Sequence, residues 1–121
     1  MTDRWVSDQP ELLIAVEALE AHKASAILAL DLRKLTDATD FFVIASGSSN
    51  THVRALSERV LDALAAQERK PHHVEGLSQG RWVLLDYVDF VVHVFHPTLR
   101  NFYQLERLWT EAPTTAIGSA E

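Results

Sequence analysis

The spacing of apolar and polar residues predicts a helix and two strands in the first part of the chain. Residues 9–22 carry apolar side chains at helical spacing. Asp8 ahead of Pro10 is typical of a helix start, because its carboxylate can accept hydrogen bonds from the first free amides. The apolar run at 24–32 is too short and too continuous for a surface helix, so it predicts a strand covered on both faces for most of its length. A second apolar run at 41–45 predicts the next strand.

The second part of the chain predicts a helix, then strands, then another helix. Helical spacing returns at Thr51, with Ser48 or Ser49 as the N-cap, and stops at Pro71. The elements predicted after it are a short edge strand at 72–77, the two strands of a hairpin at 82–87 and 90–96, and a last helix that begins at 97. After Pro113 the sequence has no periodicity, which predicts a loose tail.

This order of elements predicts an α/β fold, with a mixed sheet of about five strands and helices packed on it. Strands joined by short loops are expected to be antiparallel. The strand at 41–45, the helix after it and the next strand are expected to form a right-handed parallel crossover. One domain is predicted at residues 9–112, between an N-terminal extension at 1–8 and a flexible C-terminal tail at 113–121.

Composition and charge limit the classes of site and partner. The 121 residues carry a net charge of −6 and include no cysteine, which excludes disulfides, thiolate metal sites and a cysteine nucleophile. An acidic chain repels phosphate backbones, so a basic protein is the better electrostatic partner. No apolar run approaches the roughly 20 residues of a membrane helix, and the start of the chain lacks a signal sequence. We therefore expect a soluble cytoplasmic protein with no membrane partner and no sequence-specific contact to nucleic acid.

Two small groups of residues offer catalytic chemistry, and each has a simpler interpretation. Gly47 and Ser48 lie between a strand and a helix N-terminus, where free amides can hold a phosphate, but a tight turn and a helix cap need the same residues. Asp86 and Asp89 flank a two-residue connection, as in a magnesium site, but Asp is also common in hairpin turns. Turn and cap chemistry is favoured for both, so no catalytic residue, metal or cofactor is predicted.

The strand at 82–87 offers a candidate protein-binding surface. In an extended strand, Trp82, Leu84 and Asp86 share one face, and the residues between them share the other face with Tyr87. If the first face is uncovered, it places an aromatic anchor beside a carboxylate that can pair with Arg or Lys of a basic partner. Trp82 as an ordinary core residue is the alternative.

Seven segments together resemble the ribosomal silencing factors of the Iojap family, in the family's order and spacing. They are residues 29–32 (ALDL), 39–49 (TDFFVIASGSS), 52–53 (HV), 75–76 (EG), 82–87 (WVLLDY), 89–95 (DFVVHVF) and 100–109 (RNFYQLERLW). The resemblance implies a nucleotidyltransferase-like α/β fold that has no established catalysis and works by binding. It also implies docking on the large ribosomal subunit through ribosomal protein uL-fourteen. That docking sterically blocks joining of the small subunit and represses translation when nutrients are scarce.

The resemblance further implies which residues contact the partner. Those that match the family's contact strand or its last helix are Trp82, Leu84, Asp86, Tyr87, Arg100 and Tyr103. The chain departs from the family at Val88, where a glycine is usual. Because a β-branched residue disfavours a positive φ by roughly 1–2 kcal/mol, we expect a turn with a negative φ at this position.

Two other functions stay open at the level of sequence. A nucleotidyltransferase-like enzyme would bind a nucleotide at the Gly47-Ser48 turn and use an acidic pair, although Asp86 lies much farther along the chain from this turn than such enzymes place their acidic residues. A homodimer would instead use the aromatic residues for self-association and leave a different surface for the ribosome. A dimer and steric inhibition are compatible, since blocking requires only bulk at the right place.

Overall fold

The described residues form one mixed sheet of six strands, with the N-terminal and central helices packed on one face. The computed structural model describes residues 4–99 and 112–117. The helices that cover the sheet are α1 (Arg4–Ser7), α2 (Pro10–Ala21) and α3 (Asn50–Ala65). The strands are β1 (Ser25–Asp31), β2 (Phe41–Ser46), β3 (His73–Glu75), β4 (Trp82–Asp86), β5 (Phe90–Phe95) and β6 (Thr114–Ile117). The predicted mixed α/β architecture is confirmed, with one more strand than the number expected.

The strand order across the sheet is β3-β4-β5-β2-β1-β6. β2 and β5 pair in parallel, and the other neighbouring pairs are antiparallel. The prediction that the strand directly after α3 is the parallel partner of β2 is wrong. That strand, β3, has three residues, of which His73 and Glu75 are exposed, so it suits the edge of the sheet. β5 is buried along nearly its whole length and therefore fits the centre.

The C-terminal segment adds an edge strand that the sequence pattern does not predict. β6 pairs antiparallel with β1, and its buried residues Thr115 and Ile117 lie opposite Ala29 and Ile27. The prediction of a flexible C-terminal tail is therefore wrong for the four residues of β6. A segment of this length is too short to show a clear period, and the free edge of β1 supplies the backbone groups that hold it.

The first described residues form a short helix that packs on the sheet. In α1, Val6 is fully buried and the Trp5 ring stacks on Phe41, with ring centroids 5.5 Å apart. Part of the predicted N-terminal extension thus contributes to the core. Asp8 does not cap α2, contrary to the prediction, and the N-cap is Gln9, which makes no side-chain cap bond. The Gln9 amide donates to the Val6 carbonyl (3.0 Å), so a backbone turn from α1 occupies the helix start.

Helix α3 confirms the second predicted helical stripe. Its apolar residues buried against the sheet are Val53, Leu56, Val60 and Leu64. Ser49 is the N-cap, and its hydroxyl accepts a hydrogen bond from the His52 amide (3.0 Å). In the part of the chain that the structure describes, no helix has the length and hydropathy needed to cross a membrane. Among the described residues, α1, α2 and α3 lie on one side of the sheet. Leu99, in the helical residues that begin at Pro97 as predicted, packs against the apolar cluster on the other side.

The β4–β5 turn has an unusual backbone at Val88. Its φ is +74°, so the prediction of a negative φ at this position is wrong. The Asp89 amide donates to the Tyr87 carbonyl (2.9 Å), which closes a three-residue γ-turn around a positive-φ centre. The Asp86 carboxylate accepts from the Val88 amide (2.8 Å), and the Thr39 hydroxyl donates to the Val88 carbonyl (3.0 Å). These three hydrogen bonds hold the residue in a conformation that its side chain disfavours.

Replacing Val88 with glycine is expected to stabilise the protein by about 1 kcal/mol. A positive φ costs an L-residue roughly 1–2 kcal/mol, and glycine removes that cost at the expense of greater freedom in the unfolded chain. Little packing is lost, because Val88 is 55% exposed. Urea unfolding of Val88→Gly measures the change. Leu35→Gly is the matched control, since Leu35 is also an exposed apolar residue but has no positive φ, and it is expected to lower stability. A Val88→Gly protein less stable than wild type would contradict the strain argument.

Candidate functional site

The sheet face opposite α2 and α3 carries the strongest candidate site. On β4, Val83 and Leu85 are fully buried in the core on the helix side. Trp82, Leu84 and Asp86 alternate with them and are only partly buried. The predicted alternation of β4 is therefore confirmed. It presents an aromatic, an aliphatic and an acidic side chain in one row on the side of the sheet away from these helices.

The Trp82 ring lies against a second, smaller apolar cluster on this face. Phe95 is its direct neighbour on β5, and the two rings stack with centroids 5.2 Å apart and an interplanar angle of 21°. Leu30 and Ile44 are buried in the same cluster, and Trp82 is partly buried against it. The indole is therefore packed on one side and only partly buried as a whole. The interpretation of Trp82 as a surface anchor stays a prediction.

His93 lies beside this ring, on the same face of the sheet and on the strand next to the row of β4 residues. It is 4% exposed and lies opposite Leu84 in the β4–β5 register. The Trp82 indole N–H donates to His93 Nδ1 (3.2 Å), and the Phe42 ring packs edge-on against the imidazole, with centroids 4.7 Å apart. Burial lowers the pKa of His93 to about 4, because a charged imidazole would lose its hydration here. The side chain is therefore neutral near pH 7.

Strand β3 adds a carboxylate to the same face. Glu75 lies opposite Leu84, and His73 lies opposite Asp86. His73 Nε2 is 2.7 Å from Glu75 Oε2, and both side chains are more than half exposed. We call Trp82, Leu84, Asp86 and Glu75 the docking face. The sequence pattern does not place Glu75 with the other three, because only the register of β3 on β4 decides which side chains share its face. An apolar pair, Trp82 and Leu84, with two carboxylates next to Leu84 is suited to a basic protein surface.

Tyr87 is not on the docking face. It is 1% exposed and belongs to the core on the helix side, where its ring stacks on Phe90 with centroids 5.0 Å apart. Burial raises the pKa of the Tyr87 hydroxyl to about 12. Direct contact of Tyr87 with a partner, which the resemblance implies, does not fit this placement, whereas structural support of the β4–β5 turn does. Arg100 and Tyr103, the other two predicted contact residues, lie outside the described residues.

The acidic residues of the β4–β5 turn are engaged separately. Asp86 accepts from the amide of Val88, as an Asp in a turn commonly does. Asp89 Oδ2 lies 3.8 Å from the guanidinium of Arg69, which also pairs with Glu11 (2.6 Å). Within residues 4–99 and 112–117, no three His, Asp or Glu side chains are grouped to hold a metal ion. The turn interpretation therefore accounts for Asp86, whereas the Asp89 side chain faces Arg69.

The two amides of the Gly47-Ser48 turn donate hydrogen bonds to other groups of the protein. The Gly47 amide donates to the Phe95 carbonyl (3.0 Å), and the Ser48 amide donates to His52 Nδ1 (2.9 Å). His52 Nε2 reaches the His22 carbonyl (2.9 Å), which ties the turn to the end of α2. A side chain at Gly47 would meet Val53 at 2.9 Å, so close packing of α3 explains the glycine. A phosphate would have to displace these bonds, which gives the nucleotide-binding hypothesis no support from this turn.

Comparison with known proteins identifies the family of this chain. The family described as "Ribosomal silencing factor during starvation" matches residues 6–121. A Halalkalibacterium halodurans protein named ribosomal silencing factor RsfS is 38% identical over 112 residues, which cover 93% of this chain and 96% of that protein.

A more distant relative and a solved structure agree with this match. The Mus musculus protein named mitochondrial assembly of ribosomal large subunit protein 1 is 33% identical over 75 residues, which cover 60% of this chain and 33% of that protein. A crystal structure of a Chromobacterium violaceum protein superposes with a TM-score of 0.82 at 38% identity, covering 93% of this chain and 95% of that one. The chain thus belongs to the family of ribosomal silencing factors, as its sequence motifs indicated.

Proposed function

We propose that this silencing factor binds the large ribosomal subunit through ribosomal protein uL-fourteen and sterically blocks joining of the small subunit in the cytoplasm. The consequence is repression of translation under nutrient limitation. The observation that carries the proposal is the docking face, where a partly buried Trp82 and Leu84 share one side of the sheet with the carboxylates of Asp86 and Glu75. Aromatic anchors in an apolar centre supply most of the binding free energy of many protein interfaces.

The charge of the chain supports a protein rather than RNA as the direct contact. A net charge of −6 opposes approach to bare phosphate backbones. On the docking face, Glu75 has a 65% exposed side chain and can pair with Lys or Arg of a basic ribosomal protein. The acidic surface therefore selects for the basic proteins of the ribosome and against its RNA.

The relatives support the ribosomal setting of the proposal. The family's description connects ribosomal silencing with starvation, and the mouse relative is named for assembly of the mitochondrial ribosomal large subunit. Steric exclusion requires binding and bulk, and it requires no catalytic group. This fits a Gly47-Ser48 turn whose two amides already donate hydrogen bonds to other groups of the protein.

Cosedimentation with purified ribosomal subunits tests the proposal. The protein is mixed with isolated large subunits and separated on a sucrose gradient, and small subunits are then added to a second sample. We expect the protein to comigrate with the large subunit and to lower the amount of whole ribosomes. Raising the salt from about 0.1 M to about 0.5 M should weaken comigration, because exposed charges are screened. Small subunits alone serve as the control and should leave the protein at the top.

Two outcomes overturn different parts of the proposal. Wild-type protein that stays at the top of the gradient with large subunits overturns ribosome binding altogether. Comigration that leaves subunit joining intact overturns the steric block but retains the docking. A pull-down of purified uL-fourteen by the tagged protein then tests the partner, and failure of that pull-down with intact comigration assigns the contact to another ribosomal component.

A further inference from the structure

The side chain that orients Trp82 comes from the neighbouring strand. Two groups of β5 act on the indole: the Phe95 ring stacks beneath it, and His93 Nδ1 receives its N–H at 3.2 Å. Stacking holds the ring against Phe95 but does not set the direction of the indole N–H. The hydrogen bond adds a direction, because it requires the indole N–H to point at one nitrogen atom.

The chemistry of this bond defines the state of His93. An indole nitrogen only donates, so His93 Nδ1 must be the acceptor and the ring proton must lie on Nε2. In this tautomer Nε2–H is a buried donor that has no hydrogen-bond partner in the structure. A polar ring with one unsatisfied nitrogen is costly in an apolar layer. Packing alone does not account for a histidine at this place, since phenylalanine would fill the layer without an unsatisfied nitrogen.

We propose that His93 is a positioning residue for ribosome docking, which holds the Trp82 indole in its binding orientation through Nδ1. This inference rests on the proposed function and extends it to a residue that never touches the partner. His93 is 4% exposed, so any effect on docking must pass through its neighbours, and its hydrogen bond joins it to Trp82. An ordered indole binds more tightly than a mobile one, because less side-chain freedom is lost on association.

Two substitutions separate the acceptor from the rest of the side chain. His93→Asn retains an oxygen near the place of Nδ1 and removes the remainder of the ring, whereas His93→Phe retains a ring and removes the acceptor. Ile44→Val is the matched control, since Ile44 is buried in the same cluster and makes a packing contribution only. His93→Leu replaces His93→Phe if the larger ring prevents folding.

Two readouts are combined in the experiment. The ¹H–¹⁵N resonance of the Trp82 indole, assigned by its loss in Trp82→Phe, reports the hydrogen bond in the free protein. Titrated cosedimentation with large subunits reports affinity. For His93→Phe we expect the indole resonance to move upfield and affinity to fall about 3- to 10-fold, the cost of ordering one side chain. His93→Asn and Ile44→Val are expected to bind within about 2-fold of wild type.

The outcomes distinguish this inference from the proposed function. If wild type binds and His93→Phe binds equally well while folded, the positioning role is overturned and ribosome docking stands. A loss of affinity in Ile44→Val as large as in His93→Phe also overturns it, since packing would then explain the effect. If wild type fails to bind, the proposed function is overturned and the docking role of His93 with it.

Discussion

Trp82→Ala is expected to lower affinity for the large ribosomal subunit at least about 30-fold while the protein stays folded. An aromatic residue at the centre of an interface commonly contributes 2 kcal/mol or more, which corresponds to this factor. Trp82 is the largest side chain of the docking face, and the other members are one aliphatic and two acidic residues. The expected loss of stability is smaller, about 1–2 kcal/mol, because the ring is only partly buried.

The measurement is a sucrose-gradient titration together with urea unfolding of each variant. Trp5→Ala is the matched control, because Trp5 is also a partly buried tryptophan that stacks on a phenylalanine, but it lies on the helix side of the sheet. Trp5→Ala should lose comparable stability and keep wild-type affinity. If folded Trp82→Ala protein binds the large subunit as tightly as wild type, the docking face is not the surface that contacts the ribosome.

Acidification is expected to destabilise the protein through His93 by about 2–3 kcal/mol between pH 7.5 and pH 4.5. Burial lowers the pKa of this histidine from 6.5 to about 4 in the folded state. The unfolded chain therefore takes up the proton first as the pH falls. The stability that the neutral ring confers is complete above pH 6.5 and is lost progressively down to about pH 4, since one pKa unit corresponds to about 1.4 kcal/mol.

Urea unfolding at both pH values checks this expectation, with His93→Phe as the variant that cannot titrate at this position. The fall in unfolding free energy should be smaller in His93→Phe by about 2–3 kcal/mol. His72→Gln, which replaces an exposed histidine, is the control. Its unfolding free energy should fall between the two pH values by the same amount as that of wild type. An equal fall in wild type and His93→Phe would show that His93 is accessible to protons in the folded protein, contrary to its burial.

Local sequence patterns predict the elements of this fold well where one face of an element is buried. The β4 alternation, the stripe along α3 and the Ser49 cap are confirmed because a strand or helix places its side chains with a fixed period. β6 and the missing Asp8 cap show the limit of such patterns. Each depends on backbone hydrogen bonds to another segment, and short segments leave no periodic signal.

The candidate site was only partly predictable for the same reason. Trp82, Leu84 and Asp86 share a face by local geometry alone. Glu75 joins them only through the register of β3 on β4, and Tyr87 is excluded by its burial beneath the helices. Residue types and motif order indicated the family, but they carry no information on which side chains meet across strands.

The amino-acid sequence alone indicates the class of fold, the two faces of β4, the acidic character of the chain and its family. These follow from periodicity, composition and motif order, which can be read without knowing which segments meet. The positive φ of Val88, the parallel pairing of β5 with β2 and the bond between Trp82 and His93 become visible only in the folded chain. The pairing and the bond from Thr39 to the Val88 carbonyl join residues far apart in the chain, and the Trp82–His93 bond requires the register of two paired strands. Such contacts outweigh local preference once the sheet has formed.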